Sequence, residues 1–257
     1  MSVTTTRPPR GSKKHVLDLV RSDDFPASLN ALLEPHRVQI DSSGIWRPDK
    51  NSEKEWSAKT FCPQFLSGKA DEFASWWVGW KNPTWDLLAR CTIKNQPGLL
   101  LVEAKANDKE LSKGGKRLKA DASQQSKDNH EYIGEALNKA SAGLNAAYAP
   151  GGFNLRIDSH YQLCNRIATA WRLAQCGLPT ALLYLGFTGD TGMENGSRKA
   201  IQDSDHWQRL MSGYLHGVAP QNLPGTTITS KNGAFMRFII GTLPVVEVSP
   251  PPQNKLL

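Results

Sequence analysis

The sequence predicts an α/β fold with a mixed central β-sheet flanked by helices, and three observations carry that reading. Pro83 to Asn107 contains two apolar runs around Asn95-Gln96-Pro97-Gly98, the pattern of a β-hairpin. Thr180 to Phe187 is a near-continuous apolar run, as expected of a strand covered on both faces in a mixed sheet. Between them, Ser159 to Cys176 has helical periodicity and is closed by Gly177 and Pro179. A helix that joins two central strands has to lie on the sheet.

The chain has 257 residues, enough for one domain with a sizeable core. No apolar run reaches the length of about eighteen residues that a membrane span needs. The N-terminus lacks the apolar segment of a secretory signal. The cysteines, Cys62, Cys91, Cys164 and Cys176, are scattered without zinc spacing, so a reduced, cytoplasmic protein is expected. A net charge of +7 favours a polyanionic partner without proving one, since many basic proteins carry such charge as a solvated surface.

In chain order, residues 1–14 are basic, rich in Thr and Pro and without periodicity, and are expected to be disordered. His15 to Leu33 reads as a helix broken near Pro26, Arg37 to Ile40 as a short strand, and Trp46 to Lys59 as loop. Ser67 to Trp80 reads as a helix capped by Ser67. Its Phe73, Trp76, Trp77 and Trp80 form one apolar stripe expected to pack on the hairpin. Glu72 sits at the edge of that stripe, with two readings open: a third carboxylate of a site, or a helix-start acid favoured by the dipole.

Asp108 to Asp128 is dense in charge. It reads as a flexible, solvated insertion, or else as a loop that touches phosphates. His130 to Tyr148 is helical in pattern. Ser159 to Cys176 carries a polar stripe of Gln162, Asn165, Arg166, Thr169 and Arg172, whose N-terminal members are placed to reach the rim of a site. Thr188 to Ser197 is a Gly-rich loop without a phosphate-loop pattern. Asp203 or Ser204 caps a helix ending at Gly217. Phe235 to Ile240 and Val245 to Val248 read as two late strands, and residues 249–257 as a tail.

The hairpin has charges where a core strand has no use for them. Glu103 and Lys105 end the second run and share one face, because side chains alternate along a strand. With the turn centred near Asn95 and Gln96, Asp86 falls opposite Lys105. Two carboxylates hold a hard cation, and an ammonium beside them suits an activated water or a phosphate. The histidines form no His-x-x-x-His pair, and neither a Gly-x-Ser-x-Gly nor a Gly-x-Gly-x-x-Gly pattern follows a strand.

Helix, hairpin with Pro83-Thr84-Trp85-Asp86, Glu103-Ala104-Lys105 at a strand end, then helix and strand: over about 67–187 this arrangement resembles the PD-(D/E)xK nuclease superfamily. The spacing departs from the family pattern, since Thr84-Trp85 separates Pro83 from Asp86. The resemblance implies a restriction-endonuclease-like core, here with a charged insertion over about 106–158 within a domain spanning 15–248. It implies Asp86, Glu103 and the Ala104 carbonyl as ligands of Mg²⁺, with Mn²⁺ able to substitute and Glu72 as a further candidate. Lys105 would lie beside the attacking water, and Gln162 would match the Gln of RecB-like members. The implied partner is nucleic acid, DNA before RNA, with Asn165, Arg166, Lys109 and Lys116 as candidate contacts and a homodimer as one assembly. The implied activity is metal-dependent phosphodiester hydrolysis, in phage defence, restriction or DNA repair. A binding module without turnover and a purely structural protein are the competing readings.

Overall fold

The computed structural model describes residues 9–41, 45–49, 51–76 and 83–245. Two helices, α1 (Gly11–Arg21) and α2 (Ala27–Leu33), lead into β1 (Val38–Ile40). Short elements follow: β2 (Trp46–Arg47), β3 (Trp56–Ser57), α3 (Ala58–Phe61), α4 (Ala70–Trp76) and β4 (Thr84–Trp85). The hairpin is β5 (Leu87–Ile93) and β6 (Gln96–Lys105). Then come α5 (Gln124–Ala147), α6 (Tyr161–Gln175), β7 (Thr180–Thr188), α7 (Ser204–Leu215), β8 (Thr227–Thr229) and β9 (Phe235–Pro244).

The main sheet runs β1-β5-β6-β7-β9-β8, with β2 also on β5. The pairs β1–β5, β5–β6 and β8–β9 are antiparallel, while β6–β7 and β7–β9 are parallel, so the sheet is mixed. The central strands are apolar on both faces because both are covered. Leu99, Leu101, Leu182 and Phe238 pack under α5, α6 and α7 with Leu137, Ile167 and Trp207. Leu100, Val102, Leu183 and Ile239 pack on the other face with Val16 and Val20 of α1 and Leu29 and Leu33 of α2. Each fully buried Leu or Val contributes roughly 1.5–3 kcal/mol of transfer free energy, which is why these two layers fix the sheet.

Helix α6 is the inner helix, buried nearly all round. It lies between the sheet and α5, and the two helices approach closely at Gly143. A Cβ there would come within 2.8 Å of the Trp171 Nε1. Gly177, at φ 92°, ends the helix in a conformation that an L side chain resists.

Several expected boundaries move. The first helix begins at Gly11, inside the stretch expected to be disordered, because Val16, Leu19 and Val20 give it an apolar face. Trp46 to Lys59 holds two short strands and a helical turn. The next helix starts at Ala70, not after Ser67, with Phe73 in the core and Trp76 against it. Trp77 and Trp80 lie outside the described residues, as do residues 1–8, 246–248 and the tail. Phe235 to Pro244 is one long strand, and β8 was not foreseen because three residues carry no periodicity.

Helix α5 begins at Gln124 under a Ser123 cap, six residues earlier than its pattern suggests. Its first turns are polar on every side and so show no apolar period. Ile133, Leu137 and Leu144 place the rest of it in the core, so the expected insertion contributes a structural layer. The irregular segment before it is tied down as well. Lys116 donates its N–H to the Ile157 carbonyl at 2.7 Å, and Lys113 and Gly114 accept from His160 and Tyr161, each at 3.0 Å. Among the described residues no helix is long and apolar enough to cross a membrane.

Candidate active site

The hairpin turns at Lys94 and Asn95, both at positive φ, and pairs Ile93 with Gln96 and Leu87 with Val102. Two-residue turns of this kind match the twist of the strands they join. The turn lies one residue earlier than expected, which moves every partner by two positions. Faces are therefore kept, but Asp86 falls in line with Glu103 and not with Lys105.

Asp86 reaches the cluster by a different route from the one expected. Trp85 packs under α6, whereas Leu87 packs on the α1 face, so strand alternation breaks at Asp86. Here β4 has left β6 to pair with β3. The Asp86 carboxylate takes the place of a ladder acceptor: its Oδ2 accepts the Ala104 N–H at 2.8 Å. It borders a narrow cleft with Lys13, Pro48, Glu53 and Glu55.

Glu103 and Lys105 point from the end of β6 under α6, with only 2% and 5% of their surface exposed. Lys105 Nζ donates to Glu103 Oε1 at 2.5 Å and to Gln162 Oε1 at 3.1 Å. Gln162 Nε2 donates to the same Glu103 oxygen at 2.7 Å, closing a three-membered ring of contacts. Arg166, one turn along α6, donates from Nε to Glu103 Oε2 at 2.6 Å. Its other groups donate to Asn165 Oδ1 at 3.0 Å and to the Thr84 carbonyl at 2.7 Å, and its guanidinium lies 4.5 Å from the centre of the Trp85 ring.

Burial pushes the Asp86 carboxyl up, the Glu103 charge pushes it further, and together they bring it to about 7. Lys105, the Ala104 N–H and Arg166 only partly oppose this. Burial works against the charged form of Glu103 too, but the adjacent Arg166 and Lys105 outweigh it and hold Glu103 below the usual carboxylate range. One carboxylate is thus electrostatically satisfied, and its neighbour is not.

The structure brings Asp86, Glu103, Lys105, Ala104 and Gln162 to one place. Others of the expected residues go elsewhere. Glu72 is exposed and takes Arg172 at 3.0 Å, a turn and a half farther along α6 than Arg166, so it is not a third carboxylate of this cluster. Asn165 and Arg166 are both 6% exposed and spend their polar groups inside, so neither is a surface contact for nucleic acid. A polar stripe on a helix that packs against a strand ending in charges finds its partners inward. Lys109 is exposed beside Asp108. Lys116 lies over the Tyr161 ring at 5.2 Å, next to Gln162.

Comparison with protein-family models, with curated proteins and with solved structures finds no match.

The sequence reading missed Arg166 as the partner of Glu103. The signal was its i+4 spacing from Gln162, which puts both on one face of α6. It also missed Tyr184, which pairs with Glu103 in the parallel register. The Tyr184 hydroxyl is buried with no hydrogen-bond partner among the described residues.

Oxygen ligands of the kind Mg²⁺ prefers are present: two carboxylates and the backbone of Ala104. Among the described residues no three His, Cys, Asp or Glu side chains converge as a metal-binding group. Two carboxylates and one backbone carbonyl would leave the remaining positions around such a cation to water.

Proposed function

We propose that this chain is a metal-dependent phosphodiester hydrolase, a nuclease of the PD-(D/E)xK kind, acting on DNA before RNA. The observation that carries the proposal is the Asp86–Glu103 pair with Lys105 at the carboxyl end of β6. Asp86 is held on the Ala104 N–H beside a second carboxylate, with its charge only partly compensated. A divalent cation held by Asp86 and Glu103 would relieve that repulsion. When bound, it would polarise phosphoryl oxygens and ease deprotonation of a nearby water.

The residues of the chain supply the rest. Gln162 and Arg166 fix the Glu103 carboxylate so that it does not swing with solvent. The Lys105 ammonium donates to Glu103 and Gln162 and, among the described residues, retains a third N–H, available to an attacking water or a developing phosphate charge. The carboxyl ends of parallel strands are where open α/β sheets bind ligands, and β6–β7 presents such an end here. Four free, buried cysteines suit the reducing cytoplasm in which such an enzyme would work.

One observation favours a second reading, a binding module without turnover. Both Glu103 oxygens already accept hydrogen bonds, so a metal has to share or displace them. The test is incubation of the full chain with plasmid, linear and single-stranded DNA and with RNA, in Mg²⁺, Mn²⁺ or EDTA. Products in Mg²⁺ that vanish in EDTA and in Glu103→Ala support the nuclease. Retention of nucleic acid without products under every condition supports the module.

A further inference from the structure

Beside the cluster, the chain from Lys116 to Ala122 and the first turns of α5 wall a groove of about 690 Å³. Lys116, Arg117 and Lys119 stand along it, the last two exposed. Neutral hydrogen-bonding groups line it from the α5 side, among them Ser126 and Asn129, and one acid, Asp121, faces it. Leu118, 41% exposed, adds an apolar surface between the cations.

The groove is tied to the cluster. Tyr161 N–H donates to the Gly114 carbonyl at 3.0 Å, and the Lys116 ammonium lies over the Tyr161 ring. The next residue, Gln162, holds both Lys105 and Glu103. Gly115 lets the segment lie this close: a Cβ there would come within 2.2 Å of the Asp158 backbone. The cations are therefore carried on a segment fixed against the start of α6.

We infer that this groove binds the phosphodiester backbone of nucleic acid, along a path from Tyr161 onto Lys116, Arg117 and Lys119. The chemistry is that of a backbone site. Three residues of extended chain reach at most about 10 Å, enough to set these side chains beside neighbouring phosphates of one strand. Arg117 and Lys119 are long and exposed and so track charge without selecting a base. The inference extends the nuclease reading by naming where its substrate lies, but its test needs no turnover.

The experiment is fluorescence anisotropy of the full chain with labelled single- and double-stranded DNA and RNA, in EDTA, over a salt series. The variant Arg117→Glu/Lys119→Glu is compared with Lys139→Glu/Lys231→Glu, the same charge change at exposed positions elsewhere. The milder Arg117→Gln/Lys119→Gln guards against misfolding, with thermal melts recorded for all. The groove variant is expected to raise Kd at least tenfold and to flatten the slope of log K against log salt by about 1.5, roughly two phosphates. The control pair should stay within threefold. Binding by the groove variant within twofold of wild type, equal loss in the control, or no binding of any of the four nucleic acids by wild type overturns the inference. Cleavage with intact binding in the groove variant removes the groove and leaves the nuclease. Groove-dependent binding without cleavage removes the nuclease and leaves the groove.

Discussion

Arg166 Nε donates to Glu103 Oε2 at 2.6 Å, and both residues are almost sealed from solvent. One comes from the inner helix and the other from the central strand, so the pair joins α6 to β6 at the candidate site. Taking one partner from a buried pair leaves an uncompensated charge, which typically costs about 3–5 kcal/mol. Arg166→Met should therefore destabilise the fold by about that amount in urea unfolding. Arg166→Lys keeps the charge but loses the donation to Thr84 and the packing on Trp85, and should fall between the two. A loss below about 1 kcal/mol for Arg166→Met would mean that Lys105 and Gln162 suffice to hold Glu103.

Lys105→Ala separates chemistry from binding. Its ammonium touches Glu103 and Gln162 and lies beside the proposed reacting centre, while the groove cations are untouched. Loss of one preorganised donor typically lowers turnover by about 10²–10³. Cleavage by Lys105→Ala should drop at least a hundredfold while oligonucleotide Kd stays within twofold. Undiminished Mg²⁺-dependent cleavage would remove Lys105 from the mechanism.

Asp86 predicts a pH dependence of stability. Its folded pKa is about 7 against an ordinary 3.8, so from about pH 4 to 7 the folded chain keeps a proton that the unfolded chain releases. Stability from this group falls as pH rises through that window and levels off above it. Asp86→Asn should match wild type at pH 4 and exceed it at pH 8. The gain should be about 1–3 kcal/mol, less than for a fully enclosed carboxylate because Asp86 is only part-buried, at the edge of a narrow cleft. Mg²⁺ should raise the wild-type Tm at pH 8 and leave that of Asp86→Asn unmoved. Thermal melts at both pH values check this, and a gain independent of pH would contradict it.

Gly186 lies opposite Lys105 in the β6–β7 register, and a Cβ there would come within 2.8 Å of the Trp207 ring. Gly186→Ala should cost about 1–3 kcal/mol by overpacking. The displaced Trp207 should shift in near-UV circular dichroism. An unchanged urea midpoint would show that α7 yields without strain.

Much of the fold was legible because its cause is local. The apolar runs of β6 and β7 announce strands buried on both faces. The periodicity of α6, with its closing glycine, announces a helix that must lie on them. Boundaries were lost where the pattern has no apolar period, at the polar start of α5 and in the three residues of β8. Glu72 was misplaced for a different reason. Its position in sequence is compatible with the site, and only the packing of α4 turns it toward Arg172.

The sequence by itself determined that Glu103 and Lys105 share a face at the end of a central strand, because alternation along a strand is fixed by backbone geometry. Moving the hairpin turn by one residue did not disturb that, since it moves partners by two. Tertiary structure alone decided who meets those charges. Asp86 arrives because β4 leaves the ladder and frees the Ala104 N–H. Arg166 turns inward because α6 is buried between the sheet and α5, where a guanidinium without a carboxylate would be too costly to keep.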